Sequence, residues 1–384
     1  MEQPGGDPPA RLGAVQHDKE TALPDEPERR ELIIGTYTEL LPHVDGKAEG
    51  ILSCSFDGTT VGPPRVLART KNPSFIVVSG DGRHLYAVNE TVTFEERPGG
   101  GVSAFSRDPG TGDLVLLNTK PSGGVEPAHL ELDPSGRFLL VANYRSGSVA
   151  VFALADDGRL GRMTGHVEHG GASLHPVRQS GPHAHMVIFD PCTGDLLVPD
   201  LGIDAVLVYT LSENGDLVEQ RGRRLAVVPG AGPRHLAFHP DGDRLFVVNE
   251  LDNTLVAWRR VEDGFVPTST VSTLPEGFSA HSQAAAVRVS PSGRWVLVSN
   301  RGAGSDSVAV VRFEEADGSL ELAHMHPTSG REPRELIFAG DGTRVIVANQ
   351  DTDSLVVFAF DDATGRLQDL SLTSVPTPVC LRTA

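Results

Sequence analysis

The chain repeats itself about every fifty residues, and that period limits what it can fold into more than any other feature. Six segments share one pattern: a strand entered after Pro or a small residue, a tight turn containing Gly, and a return strand ending in Asn or Asp. The terminal residues are Asn89, Asn143, Asp200, Asn249, Asn300 and Asn349. A second family of D-G, N-G and T-G turns carries Gly58, Gly112, Gly158, Gly215, Gly264, Gly318 and Gly365. Such dipeptides supply the positive φ that tight hairpins need. Seven turns of one kind against six of the other mean that one unit is split. Its halves lie at the two ends of the chain: Pro378-Val379-Cys380-Leu381 matches the first strand of the repeat, and Leu32-Ile33-Ile34-Gly35-Thr36 the second. The expected fold is all-β, a seven-bladed β-propeller of four-stranded blades, with the ring closed by N- and C-terminal strands pairing in one blade. Two unrelated sandwiches would not give one phased repeat from residue 72 to 358.

The path of the chain then selects one end of the propeller. Both sets of short Gly turns fall at one end, and the Asn-terminated strand ends and longer connections fall at the other. These connections include Thr91–Gly101 and the stretch Met163–Ala184. Loops on a rigid scaffold are where binding and catalysis usually reside. The residues entering the seven first strands at that end are Ser74, Ala128, His185, Arg234, Ala285, Arg334 and Val379. Small or apolar residues suit the crowded centre of a ring, so His185, Arg234 and Arg334 stand out. The positions after the repeated Asn or Asp are Glu90, Tyr144, Leu201, Glu250, Arg301 and Gln350, with Tyr37 in the split unit.

A hairpin at Asp241-Gly242 sets Arg234 beside Asn249, with Glu250 adjoining. An arginine beside a carboxylate is often only a salt bridge. Here three arginines, a histidine and two glutamates converge on one mouth, which makes it a ligand site. His183, Glu90, Asn143, Tyr144, Asn249 and Arg334 are its expected substrate contacts. The repeated Asn also has a plainer reading, as a cap of backbone groups in every blade. His183 and His185 share a strand face at metal-ligand spacing, but neighbouring arginines repel a divalent ion, so no metal is expected. No nucleotide or cofactor motif and no G-x-S-x-G nucleophile is present, so no cofactor is expected either.

Composition narrows the partners. A formal net charge of −18 excludes sequence-independent binding to nucleic acid, which needs a basic surface, yet leaves room for a local arginine cluster that holds a small anion. No apolar run reaches eighteen residues, so no membrane span is expected. Three scattered cysteines, Cys54, Cys192 and Cys380, read as a reduced, cytoplasmic protein. Residues 1–30, rich in Pro, Gly, Asp and Glu, read as a disordered tail and not as a secretory signal, with the propeller over 31–384.

Several segments resemble a known family when taken in order: Ile34-Gly35-Thr36-Tyr37-Thr38, Asn143-Tyr144, Arg178-Gln179 with Pro182-His183-Ala184-His185, Asp200-Leu201-Gly202, Pro229-Gly230-Ala231-Gly232-Pro233-Arg234-His235, Asn249-Glu250 and Asn300-Arg301. They resemble the lactonase family of seven-bladed propellers, which contains bacterial 6-phosphogluconolactonases and fungal 3-carboxy-cis,cis-muconate lactonizing enzymes. The resemblance implies a catalytic set of one histidine, two arginines and a glutamate, falling on His183 or His185, Arg234, Arg301 and Glu250. The repeat phasing favours His185, which stands in register with Arg234. The activity implied is hydrolysis of a small anionic lactone, most directly 6-phosphoglucono-δ-lactone. Glu250 or His185 would be the general base, and Arg234 and Arg301 would meet the oxyanion. Two alternatives share the site: cycloisomerisation of a carboxymuconate, and ligand or partner binding without turnover.

Overall fold

The computed structural model describes residue 1 and residues 30–383. The proposed tail lies outside them, apart from its two ends, and Arg30 already opens a strand, Arg30–Thr36. Alternating apolar positions and Gly turns produce seven antiparallel sheets arranged as blades. Counted from the innermost strand outward, blade 5 shows the plan: Pro233–Phe238, Arg244–Asn249, Thr254–Val261 and Gly264–Ser272. Blade 4 departs from it. Its outer strand, Leu217–Glu219, is short, and Leu225–Ala226 also pairs with Ala205–Leu211.

Blade 1 is the split one. Pro378–Thr383 is its innermost strand and pairs antiparallel with Arg30–Thr36, in the register Ile34 to Leu381. The first-strand assignment of the final segment and the second-strand assignment of residues 32–36 both hold. Cores between blades are contiguous around the ring. Phe246 and Val248 of blade 5 pack with Val287 and Val298 of blade 6, and Leu32 and Leu52 of blade 1 with Ile346 and Val357 of blade 7. Each blade therefore buries its apolar faces against two neighbours, and closure leaves no unpartnered end blade.

The innermost strands share one irregularity that positions the site. Pro127, Pro233 and Pro333 pair with Asn143, Asn249 and Asn349, and register then slips by one residue. The unpaired residue at each slip is Ala128, Arg234 or Arg334. A bulge of this kind bends the strand and re-aims the extra side chain. Blade 4 reaches the same geometry with a lone bridge between Ala184 and Asp200, which puts His185 at the equivalent place. Arg234 is thus the bulged residue, and its neighbour Pro233 is the direct partner of Asn249. The loop expected to start at Met163 begins later, because Leu160–Glu168 is an outer strand.

Candidate active site

The bulged side chains and the strand-end residues surround a cavity of about 310 Å³ at the mouth that carries the long connections. Glu90, Tyr144, His185, Glu250, Arg301 and Arg334 line it, as the sequence led us to expect. Beneath it, along the axis, lies a narrow void bordered by Ser74, His185, Arg234, His235, Arg334 and Glu335. Arg234 belongs to this lower layer. It is 2% exposed and donates from Nη1 to the Ala285 carbonyl at 2.8 Å.

Glu250 organises the cavity floor. Its Oε2 lies 3.1 Å from Arg301 Nη2 and 2.9 Å from Arg234 Nε, and its Oε1 accepts from Arg178 Nη2. The Arg234 contact is an ion pair whose N–H direction misses a hydrogen bond. Burial by itself would raise the Glu250 carboxyl, but Arg301, Arg178 and Arg234 hold it far below the usual range. A carboxylate clamped in this way is a poor proton acceptor. Burial, with Arg301 next to it, lowers Arg234 to about 9.

His185 is buried, and its Nδ1 has no hydrogen-bond partner among the described residues. Burial first, and the Arg234 charge second, push its imidazole well below its ordinary value, so it is neutral at pH 7. On another wall, Glu90 accepts from Tyr37 Oη at 2.8 Å and from Ser74 Oγ. Arg334 donates to Tyr37 Oη at 3.0 Å and lies over the Tyr37 ring. Four arginines (178, 234, 301 and 334) face four glutamates (90, 126, 250 and 335) across the two layers. With His185 neutral, the formal charges of the two layers balance, so the guanidiniums are held in place by carboxylates inside a strongly acidic protein.

Three expected contacts fall elsewhere. The Asn143 amide donates to the Ser122 carbonyl at 3.2 Å, and that of Asn249 to Thr254 Oγ1 at 2.8 Å. Neither lines the cavity, and both serve the frame, which is the plainer reading of the repeated Asn. Asn300 and Asn349 hold the carbonyls of Thr273 and Thr328 in the same way. His183 bonds through Nδ1 with the Tyr144 carbonyl at 3.0 Å and stacks on the Tyr144 ring, so it supports the wall from behind. Within Pro182-His183-Ala184-His185, His185 lines the cavity and His183 does not.

The expected set missed Arg178, His43, Glu126 and Gln283, all of which line the cavity. Arg178 comes from the connection between blades 3 and 4 and also donates to Tyr144 Oη at 3.1 Å. Its neighbour Gln179 is fully buried, donating to the Leu201 carbonyl and to Asp204 Oδ1, which pins the loop. The Arg178-Gln179 pair was visible in the sequence as a motif, but it lies off the repeat that guided the selection. Among the described residues no cluster of His, Cys, Asp or Glu is arranged to hold a metal ion, and no helix is long and apolar enough to cross a membrane. The three cysteines are free thiols.

The chain is similar to known proteins over nearly its whole length. A family model described as "Lactonase, 7-bladed beta-propeller" matches residues 31–383. The 6-phosphogluconolactonase of Bacillus subtilis is 36% identical over 355 residues, which cover 91% of this chain and 97% of the relative. That of Formosa agariphila is 30% identical over 344 residues, covering 88% and 95%. Among solved structures, a putative 6-phosphogluconolactonase from Bacteroides fragilis superimposes with a TM-score of 0.84 at 32% identity, over 96% of this chain and 100% of that one. A periplasmic gluconolactonase from Pseudomonas aeruginosa gives a TM-score of 0.85 at 32% identity, over 93% and 99%. The propeller, its polar mouth and these similarities together show that the chain belongs to the lactonase family of seven-bladed β-propellers.

Proposed function

We propose that the cavity opens 6-phosphoglucono-δ-lactone, with His185 as general base and Arg301 as the principal oxyanion donor. The observation that carries this reading is the pairing of a neutral, buried imidazole with a clamped carboxylate in one cavity. Glu250 and His185 were equal candidates for the base. With three guanidiniums around Glu250, the imidazole is the group free to take a proton. Water attacks the lactone carbonyl carbon as His185 removes its proton, and the carbonyl oxygen becomes an oxyanion beside Arg301. Collapse breaks the bond to the ring oxygen, which recovers the proton from the imidazolium. Arg234, one layer below, takes a supporting part by holding Glu250 in place and keeping His185 neutral.

Arg334 and Arg178 are assigned to the anionic end of the substrate, because a guanidinium forks onto phosphate or carboxylate. Names of similar proteins support the phosphorylated sugar lactone: the Bacillus subtilis relative is a 6-phosphogluconolactonase. A phosphorylated substrate and unpaired cysteines point to the cytoplasm, although one structural relative is periplasmic.

The test compares 6-phosphoglucono-δ-lactone with glucono-δ-lactone, each above its spontaneous opening, for wild type and Arg334→Met. A charge-assisted hydrogen bond contributes about 1.5–3 kcal/mol. Loss of Arg334 should therefore reduce kcat/KM for the phosphorylated lactone by roughly 10- to 100-fold and leave the unphosphorylated one nearly unchanged. Equal losses on both substrates would remove the phosphate assignment. Ring closure of a carboxymuconate without lactone opening would move the chain to the cycloisomerase reading.

A further inference from the structure

The general base has nothing conventional behind it. A catalytic imidazole usually has its second nitrogen fixed by a carboxylate or carbonyl, which selects the tautomer. His185 Nδ1 is sealed from solvent without a partner among the described residues, and Glu250, the nearby carboxylate, is engaged by three arginines. What stands next to the His185 ring is a second imidazole. His235 lies edge to face with it, with ring centroids 5.1 Å apart, and a third ring, His129, follows at 5.9 Å from His235. All three are buried where the innermost strands of blades 3, 4 and 5 begin: His185 stands at the bulge position, and His235 and His129 both one residue past it. His235 Nδ1 is also buried without a partner among the described residues. The axial void is bordered by the rings of both His185 and His235. Its free volume of about 10 Å³ is close to what one water needs, and its border is polar, as a buried water requires.

We propose that His235 is a positioning residue for the reaction: through one water in the axial void it accepts the Nδ1 proton of His185, so that Nε2 faces the cavity unprotonated and ready to act as base. The inference rests on the lactonase reading above for its kinetic consequence, but not for the tautomer. His235 lines the void and not the substrate cavity, so it acts on the lactone only through His185. The charged and titratable groups around the pair are Arg234 beside both rings, Glu250 and Arg334 near His185, and His129 and Arg288 near His235. Glu90 and Glu335 border the void. Burial first, then Arg234 and more weakly Arg288, disfavour a positive charge on His235. His235 therefore remains a neutral acceptor. His129 Nδ1 accepts from the backbone N–H of Val187 at 3.5 Å, which fixes the third ring.

Two measurements on the full chain test the proposal. Imidazole ¹H–¹⁵N correlation spectra at pH 7, without substrate, should show His185 protonated at Nδ1 in wild type and in His235→Gln, whose side chain can still accept. In His235→Phe that state should be lost. His185 protonated at Nε2 in wild type would overturn the proposal, as would an Nδ1 proton unaffected by His235→Phe. In lactone hydrolysis, His235→Phe should lower kcat about 10- to 100-fold, the usual cost of removing a group that orients a functional histidine. KM should be unchanged, the acid limb of the pH profile should move, and His235→Gln should recover most of the rate. If His235→Phe does not fold, His235→Leu takes its place, with thermal melting as the check. Wild-type kcat and pH profile in a folded apolar variant would overturn the role. A chain that opens no lactone but shows the His235-dependent Nδ1 proton would uphold the positioning contact and remove only the assigned substrate.

Discussion

At the scale of single residues, Glu250 shows how burial and charge divide the work between two groups that both look like bases. Its carboxylate is 1% exposed and contacts three guanidiniums. Removing one partner from a buried charge network leaves the others uncompensated, at about 3–5 kcal/mol. Glu250→Gln should therefore lose stability on that scale, read as a drop in melting temperature, as well as turnover. Unchanged melting would mean that the arginines do not depend on this carboxylate. The residues around the site were unevenly legible in the sequence. His185, Arg234 and Arg334 could be found because they break a pattern of small residues at one repeat position. Arg178 and His43 could not, since they reach the cavity from connections that the repeat does not govern. Asn143 and Asn249 looked like site residues because they adjoin Tyr144 and Glu250. Each of these Asn residues ends its strand and turns its amide to the frame instead, Asn143 to the Ser122 carbonyl and Asn249 to Thr254 Oγ1.

At the scale of elements, the entry to each innermost strand is where the fold is most demanding. Gly232 has a φ of +69°, and a Cβ there would stand 2.7 Å from Leu251 Cγ. Its carbonyl accepts from the Glu250 amide at 2.7 Å, so this one turn fixes both Arg234 and Glu250. Glycine is needed there for both its conformation and its lack of a side chain. We expect Gly232→Ala to cost about 1–3 kcal/mol in urea unfolding and to reduce kcat by displacing the bulge. A neutral outcome in both would mean that the bulge does not hold the site. The blades themselves were legible from turn chemistry and alternation, including the split one. The bulges were not, because the slip changes no residue count in the repeat. They show only when Pro233 is found opposite Asn249 and His235 opposite Val248.

At the scale of the molecule, the ring closes through Pro378–Thr383 and buries three imidazoles at its centre. Burial lowers His129, His185 and His235 well below their ordinary value, with Arg382 assisting at His129 and Arg234 at the other two. In the unfolded chain each takes up a proton below about pH 6.5. The unfolded state then binds more protons, so stability falls as pH falls, by up to about 1.4 kcal/mol per pH unit for each imidazole. Glu131 works in the opposite sense. Burial raises it to about 7, so its contribution is present at low pH and is lost as pH rises through that value. Three imidazoles outweigh one carboxyl. The unfolding free energy in urea should be smaller at pH 5.5 than at pH 7, and His129→Gln should flatten the slope. A value that is level or rises on acidification would mean that the three imidazoles titrate in the folded protein as they do in the unfolded chain.

The central claim, that a neutral His185 and the Arg301 guanidinium open a lactone in this cavity, is tested most directly by kcat/KM for 6-phosphoglucono-δ-lactone. Wild type, His185→Gln and Arg301→Met would be measured above the spontaneous rate. General-base catalysis supplies about 10²–10⁴-fold and one oxyanion donor about 10²–10³-fold. The account predicts fast wild-type turnover and losses of at least about 100-fold in each variant, with both still folded. Wild-type rates in either folded variant, or no acceleration by the wild-type protein, would contradict it.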